Sequence, residues 1–226
     1  MTDLNGLKTW PVSASALQAY MDCPLRFYLR YILGLRWPAP ADGNIRALEA
    51  RFERGRQFHR LVQQRIVGVP RPVLDEEAVR LDLEEWWHSF VHHDPTLALL
   101  DSVLMPEITL TAPIGDGYRL LARYDLLSWD GDRIRIMDWK TNTRRPAKAR
   151  IQALTQSYVY RLVAASAASN VVSAPVAPEQ VEMIYWFTAA PQDPEVLRYT
   201  SKLHERSVER FANLLVELDT AAVKDF

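Results

Sequence analysis

The stretch RIRIMDWKTN, residues 133–142, ends an apolar alternating pattern with Asp138, Trp139 and Lys140. Side chains alternate along a strand, so Asp138 and Lys140 share one side, about 7 Å apart. A second carboxylate, Asp125, stands within the preceding strand-like stretch GYRLLARYDLLSW. An acid and an amine at a strand end form either an ordinary ion pair or half of a reactive site. A second acid beside them adds a place to hold a cation, with the amine free to orient a water or neutralise developing charge.

The turn between these strands sets which groups meet. Asp130-Gly131 is a favoured two-residue hairpin loop. It predicts Trp129 opposite Asp132, Leu127 opposite Ile134, Asp125 opposite Ile136 and Arg123 opposite Asp138. One face would then carry Arg123, Asp125, Leu127, Ile134, Ile136, Asp138 and Lys140. Asp125 and Asp138 would be diagonal neighbours, roughly 7–8 Å apart at the backbone. A slip of one residue would separate them.

The remaining pattern supplies the frame. Residues 13–35 are expected to be helical, opening at Ser13 and Ser15 and broken at Pro24. Residues 36–44 are a Pro/Gly-rich loop. Residues 45–67 form an amphipathic helix with Leu48, Phe52, Gly55, His59, Val62 and Ile66 on one face. A loop over 68–75 precedes a helix over 76–91, which ends at HHDPT. From 103 the period becomes that of strands: VLMPEITLTAP, GYRLLARYDLLSW and DRIRIMDWKT. Helix returns over 147–168, a strand over 181–188 and a final helix over 201–222. The order predicts a mixed α/β fold on a small sheet. It fits one domain over residues 1–226, with a mainly helical part (13–100), a sheet-and-helix part (101–190) and a C-terminal helix (191–226).

Composition narrows the function classes. The 226 residues are 48% apolar and 24% charged, which suits a globular chain with a substantial core. A single cysteine, Cys23, excludes an internal disulfide framework and favours a reducing, cytoplasmic setting. No apolar run reaches membrane-spanning length, and the N-terminus has no secretory pattern. The net charge of −1 means that any polyanionic partner must meet a local patch.

One such patch is KTNTRRPAKAR, residues 140–150, which holds Lys140, Arg144, Arg145, Lys148 and Arg150 without an acid. A second basic stretch, Arg51, Arg54, Arg56, Arg60 and Arg65, is diluted by Glu49 and Glu53, and reads more simply as a solvated helix face.

Taken in order, GRQFH (55–59), ARYD (122–125), DWKT (138–141) and QSYVY (156–160) resemble the motifs of the PD-(D/E)XK nuclease superfamily, and within it the RecB-like nucleases. The lead-in SASALQAYMDCPLRFYLRYILGL is similar to that of AddB-type and CRISPR-adaptation nuclease domains. Ala122 replaces a frequent glycine of the family. The resemblance implies a restriction-endonuclease-like mixed sheet flanked by helices. It also implies a DNA-cleaving enzyme dependent on Mg²⁺ or Mn²⁺, exonuclease-like, in DNA repair, recombination or defence. His59, Asp125, Asp138 and the Trp139 carbonyl would be the metal ligands, with Asp125, Asp138, Lys140 and Gln156 catalytic. Arg144, Arg145, Lys148 and Tyr160 would meet DNA. Glu107 is a weaker candidate, bound to metal through water or merely exposed. Gly55 would let its helix approach the sheet.

Relatives with an iron–sulfur cluster carry three further cysteines, which are missing here, so no cluster is expected and Cys23 should be a small buried residue. No phosphate-cradling G-x-x-x-x-G-K-[ST] motif occurs, so unwinding would need a helicase or repair partner in trans. The alternative is a DNA-holding subunit without catalysis beside such a partner. The residues alone also allow plain structure: a charged sheet rim, a satisfied core histidine at 59, and an ordinary polar pair at 156 and 160.

Overall fold

A computed structural model describes residues 7–35, 44–99 and 101–220, without the side chains of 44 and 45. The short strand β1 (Val12–Ser13) leads into α1 (Ala14–Asp22). Ser13 caps this helix, its Oγ accepting from the Ala16 amide at 3.2 Å. Helix α2 (Pro24–Phe27) restarts at the proline and runs into a π-helical turn over Tyr28–Ile32. Cys23 lies at the junction and is half-buried rather than fully enclosed as expected. Most of the loop expected over 36–44 lies outside the described residues.

Next come α3 (Asn44–Ile66), α4 (Arg71–Arg80) and α5 (Glu84–His92). The boundary between α4 and α5 corrects the expected helix over 76–91. Helix already starts at 71, with Pro72 in its first turn, where a missing N–H costs nothing. It then breaks at Asp82, which takes a left-handed φ of 57°.

The strands are β2 (Val103–Pro106), β3 (Thr109–Ile114), β4 (Tyr118–Arg123), β5 (Leu126–Trp129) and β6 (Ile134–Lys140). Helices α6 (Lys148–Gln152), α7 (Thr155–Ala167) and α8 (Ser169–Val172) follow. The chain continues through β7 (Val181–Phe187), β8 (Glu195–Arg198) and α9 (Ser201–Thr220). Strand β8 was not expected from the sequence; four residues are too few to show a period.

The fold is mixed α/β, with two mixed sheets flanked by helices. One sheet has the order β2-β5-β6-β7-β8, and β1-β4-β3 form the other. Strands β6 and β7 run parallel, joined by the helical crossover through α6, α7 and α8. Alternation along β6 feeds two cores. Ile134 and Ile136 face α7 and α9, while Met137 and Trp139 face α3 and α5. On the second side Phe58, Phe90, Trp139 and Trp186 form an interlocked aromatic group with ring centroids 5.6–6.4 Å apart.

Two stretches read as continuous strands are each broken, and at the same level. The first breaks between β2 and β3 at Glu107, whose φ is 55°. The second breaks between β4 and β5 at Tyr124 and Asp125. The two breaks are hydrogen-bonded to each other: the Glu107 amide donates to the Asp125 carbonyl at 3.0 Å, and the Tyr124 amide to Ile108 at 2.9 Å. Arg123 therefore does not oppose Asp138. It pairs with Thr109 in the smaller sheet.

The hairpin register also differs from expectation. Trp129 pairs with Ile134 and Leu127 with Ile136, so the loop has four residues, 130–133. Asp130 explains the longer loop. Its Oδ1 accepts from the amides of Asp132 (2.9 Å) and Arg133 (2.8 Å), and its Oδ2 pairs with Arg135 at 2.5 Å. The shift is two residues, so each side chain keeps its face. Carrying the observed register one pair further would set Asp125 directly opposite Asp138.

Burial alone would raise the Asp130 pKa, but those amides and Arg135 bring it down to about 2. Its stabilisation is present above the ordinary carboxylate range and is lost as pH falls through about 2. Asp130→Ala should cost about 1–2 kcal/mol at pH 7. In urea titrations the gap between variant and wild type should close as pH falls from 4 towards 2.

Candidate active site

Two helices bring their polar groups to the end of β6 from opposite faces. Helix α3 supplies His59. Phe58, Leu61 and Val62 anchor that part of the helix in the aromatic core. Gly55, one turn earlier, sits against the strand end: a Cβ there would lie 3.2 Å from the Thr141 hydroxyl. The close approach anticipated for this glycine is therefore real.

His59 Nδ1 and Asp125 Oδ1 are 3.0 Å apart. The other oxygen of Asp125 accepts from the Trp139 amide at 2.8 Å. Strand β5 has no backbone pair with β6 beyond Leu126–Met137, so this carboxylate takes the place of a missing strand partner. Trp139 lines the cleft, and its amide is the group engaged with Asp125.

Helix α7 supplies Gln156 from the other face. Its Nε2 donates to Asp138 Oδ1 at 2.6 Å, and its Oε1 accepts from Lys140 Nζ at 3.0 Å. Lys140 closes the triangle, 2.6 Å from Asp138 Oδ2. Its ammonium also lies 5.2 Å from the centre of the Tyr185 ring. Of the two roles left open for Gln156, this arrangement fits a hold on Lys140. Tyr160, one turn along α7, packs edge-on against Tyr124 at 5.2 Å and lines the cleft. Burial and the nearby charge of Asp138 push its phenol far above the usual range.

Glu107, the weaker candidate from the sequence, stands beside His59 and Asp125. Its left-handed backbone, unusual for a residue with a side chain, turns it towards His59 and Asp125. One ligand atom from each of His59, Glu107 and Asp125 lies within 4.8 Å of the others. Arg123 holds the Glu107 carboxylate through two hydrogen bonds, 2.6 and 2.8 Å long. A glutamate in a strand-like pattern carries no signal for positive φ, so only the break itself could have revealed it.

The basic run after β6 is less free than its composition suggests. Arg145 bonds the Asp193 carbonyl at 2.9 Å and pairs with Glu195 at 2.9 Å. Lys148 reaches the same Glu195 at 3.0 Å. The neutralising acid comes from β8, the strand that sequence patterning missed. Arg144 is exposed.

The cleft at this junction encloses about 840 Å³, between the exposed first half of α3 and the ends of the strands. Its electrostatics favour a cation. Asp138 is almost fully buried, and burial, with help from Asp125, raises its pKa despite the pull of Lys140. Its Oδ2 has the ammonium beside it but no hydrogen bond of good geometry. Carboxylates with unused acceptor capacity and an imidazole make a donor set suited to a hard or borderline divalent ion.

His59 carries a testable balance. Burial lowers its pKa, but the bond and charge of Asp125 and the charge of Asp138 outweigh burial, so the net shift is upward. The pair therefore stabilises the metal-free fold fully below pH 6.5 and loses that contribution as pH rises through the raised pKa. NMR titration of the metal-free protein should place the His59 transition above 6.5. In Asp125→Asn it should fall back to 6.5 or lower, because burial remains.

The sequence model of the PD-(D/E)XK nuclease superfamily matches residues 11–225. Among solved structures, a candidate exonuclease from Eubacterium rectale superposes with a TM-score of 0.55 at 8% identity, covering 99% of this chain and 85% of its own. A protein called SSO0001 superposes with a TM-score of 0.36 at 12% identity, over 71% of this chain and 70% of its own. No curated protein sequence matches the chain.

Proposed function

We propose, because the chain belongs to the PD-(D/E)XK nuclease superfamily, that it is a divalent-metal-dependent nuclease hydrolysing phosphodiester bonds in DNA. The carrying observation is the set at the end of β6: Asp125 with His59 from α3, and Asp138 with Lys140 and with Gln156 from α7. A charged group buried at this depth is costly, and a purely structural rim could use uncharged residues instead.

His59, Asp125 and Asp138 would hold Mg²⁺ or Mn²⁺, with Glu107 as a further donor. Among the described residues His59, Glu107 and Asp125 already bring ligand atoms within 4.8 Å of one another. Asp138 lies outside that group, held by Gln156 and Lys140, and would have to turn from them to join. When bound, the ion would make a water nucleophilic near neutral pH and offset charge on the phosphoryl oxygens. Lys140 would orient the attacking water or meet developing negative charge. Gln156 fixes Lys140 in place, because its amide is held at both ends. The Asp125 bond to the Trp139 amide keeps the two faces in register. Tyr160 and the exposed Arg144 would contact the DNA backbone. Arg145 and Lys148 could do so only by loosening their pairs with Glu195. The solved neighbour named as a candidate exonuclease favours cleavage from DNA ends.

Linear single- and double-stranded DNA, incubated with Mg²⁺ or Mn²⁺, should be cleaved by the wild type. Asp138→Ala and Lys140→Ala should each lower the rate by roughly 10²- to 10³-fold or more. Saturating Mn²⁺ should raise the melting temperature by roughly 5–10 °C, and Asp125→Ala should abolish that rise. A wild type inactive on every DNA form, or variants as active as wild type, would refute the proposal. DNA binding without cleavage under any metal would point instead to a holding subunit.

A further inference from the structure

Helix α3 uses only its second half for packing. Phe58, Leu61 and Val62 are fully enclosed, whereas Leu48 and Phe52 stand 49% and 59% exposed. These two apolar residues lie one turn apart on one face, and both line the cleft that holds His59, Asp125 and Lys140. Phe52 precedes His59 by seven residues, about 10 Å along the helix axis. That is the rise of about three stacked bases at roughly 3.4 Å each.

From this geometry, and resting on the nuclease reading above, we infer that Phe52 is a stacking platform for an unpaired base of the DNA substrate. On this reading the cleft selects single-stranded DNA or frayed ends. Leu48 extends the platform by one turn.

Three features favour a nucleobase over another occupant. The patch lies in a cleft, not on a convex surface, and Asn142, Arg123 and Tyr160 line the same cleft. A base has an apolar face and a polar edge, and it fits a cleft that offers both apolar and polar side chains. Charge is complementary as well. Arg51 and Arg60 line the same cleft and have no ion pair among the described residues, while Arg56 is committed to Glu53 and Arg54 to Asp82. The patch is also continuous with the catalytic groups along a single helix face. Stacking requires exposed base faces, which a paired duplex withholds except at its ends.

Phe52 itself touches the base, so its test reads base contact directly. Binding is measured in the Asp138→Ala background, which separates it from cleavage. One probe is a single-stranded oligonucleotide bearing 2-aminopurine at successive positions. The other is the same strand with abasic sites in place of the bases. The Phe52-containing protein should quench 2-aminopurine at one or two positions and bind the abasic strand roughly ten-fold more weakly than the normal strand. Adding Phe52→Ala should remove the quench and bind both strands alike. Phe52→Trp should keep the quench and the discrimination.

The inference is overturned if the Phe52-containing protein binds no single-stranded DNA. Equal binding of normal and abasic strands overturns it, as does Phe52→Ala discriminating like its parent; the patch then serves something other than a base. Because Phe52 is exposed, its substitution should leave the melting temperature within a few degrees, which checks the fold. Quenching with no cleavage by otherwise wild-type protein would sink the nuclease reading alone. Cleavage of single strands unchanged by Phe52→Ala would sink this inference alone.

Discussion

The site depends on one constraint: two antiparallel ladders break at the same level, and the breaks hydrogen-bond to each other. Glu107 and Asp125 sit in those breaks, linked by the 3.0 Å bond from the Glu107 amide to the Asp125 carbonyl. An unbroken ladder would have paired the Trp139 amide with backbone. The break leaves that amide to the Asp125 carboxylate. It also lets Glu107 take the φ of 55° that turns it inward. Sheet termination and the placement of acids are thus the same event. The strain at Glu107 is offset by the backbone bonds around it and by two bonds from Arg123.

Charge is balanced locally on each face. Asp125 has His59, Glu107 has Arg123, and Asp138 has Lys140. The cluster can therefore fold without a bound ion, although burial holds Asp138 above its ordinary pKa. Coulombic attraction in such a site is strong, but so is the loss of hydration, and the net worth of each pair is small. Rigidity comes from below. The aromatic group of Phe58, Phe90, Trp139 and Trp186 fixes α3 and α5 against β6 and β7, so His59 reaches Asp125 from a helix with little freedom to move.

Much of this was legible in the chain, for identifiable reasons. Ile134, Ile136 and Leu127 alternate with Met137 and Leu126, and that period assigned the faces correctly. The turn was misjudged because Asp130 acts through its side chain, accepting two amides, and not only as half of an Asp-Gly pair. The error did little harm, because a two-residue shift preserves faces. Arg123 was misplaced because a kink has no hydropathy signature: LLARYDLL reads as one strand whether or not it changes sheets. Glu195 escaped notice with its four-residue strand, and with it went the acid that occupies Arg145 and Lys148.

Helix α3 shows where pattern and packing part. Its apolar stripe runs the full length from Leu48 through Phe52, Gly55, His59 and Val62, and the sequence alone predicts one buried face. The fold buries only the last part. Towards the N-terminus from Gly55, Leu48 and Phe52 stay about half exposed, yet the helix continues. Glu53 and Arg56 pair at helical spacing, and Arg54 lies over Trp86 with a bond to the Asp82 carbonyl. Local contacts thus sustain a helix whose apolar face is unused for stability. An apolar face that folding does not need, placed beside groups that folding must neutralise, belongs to binding rather than to the core.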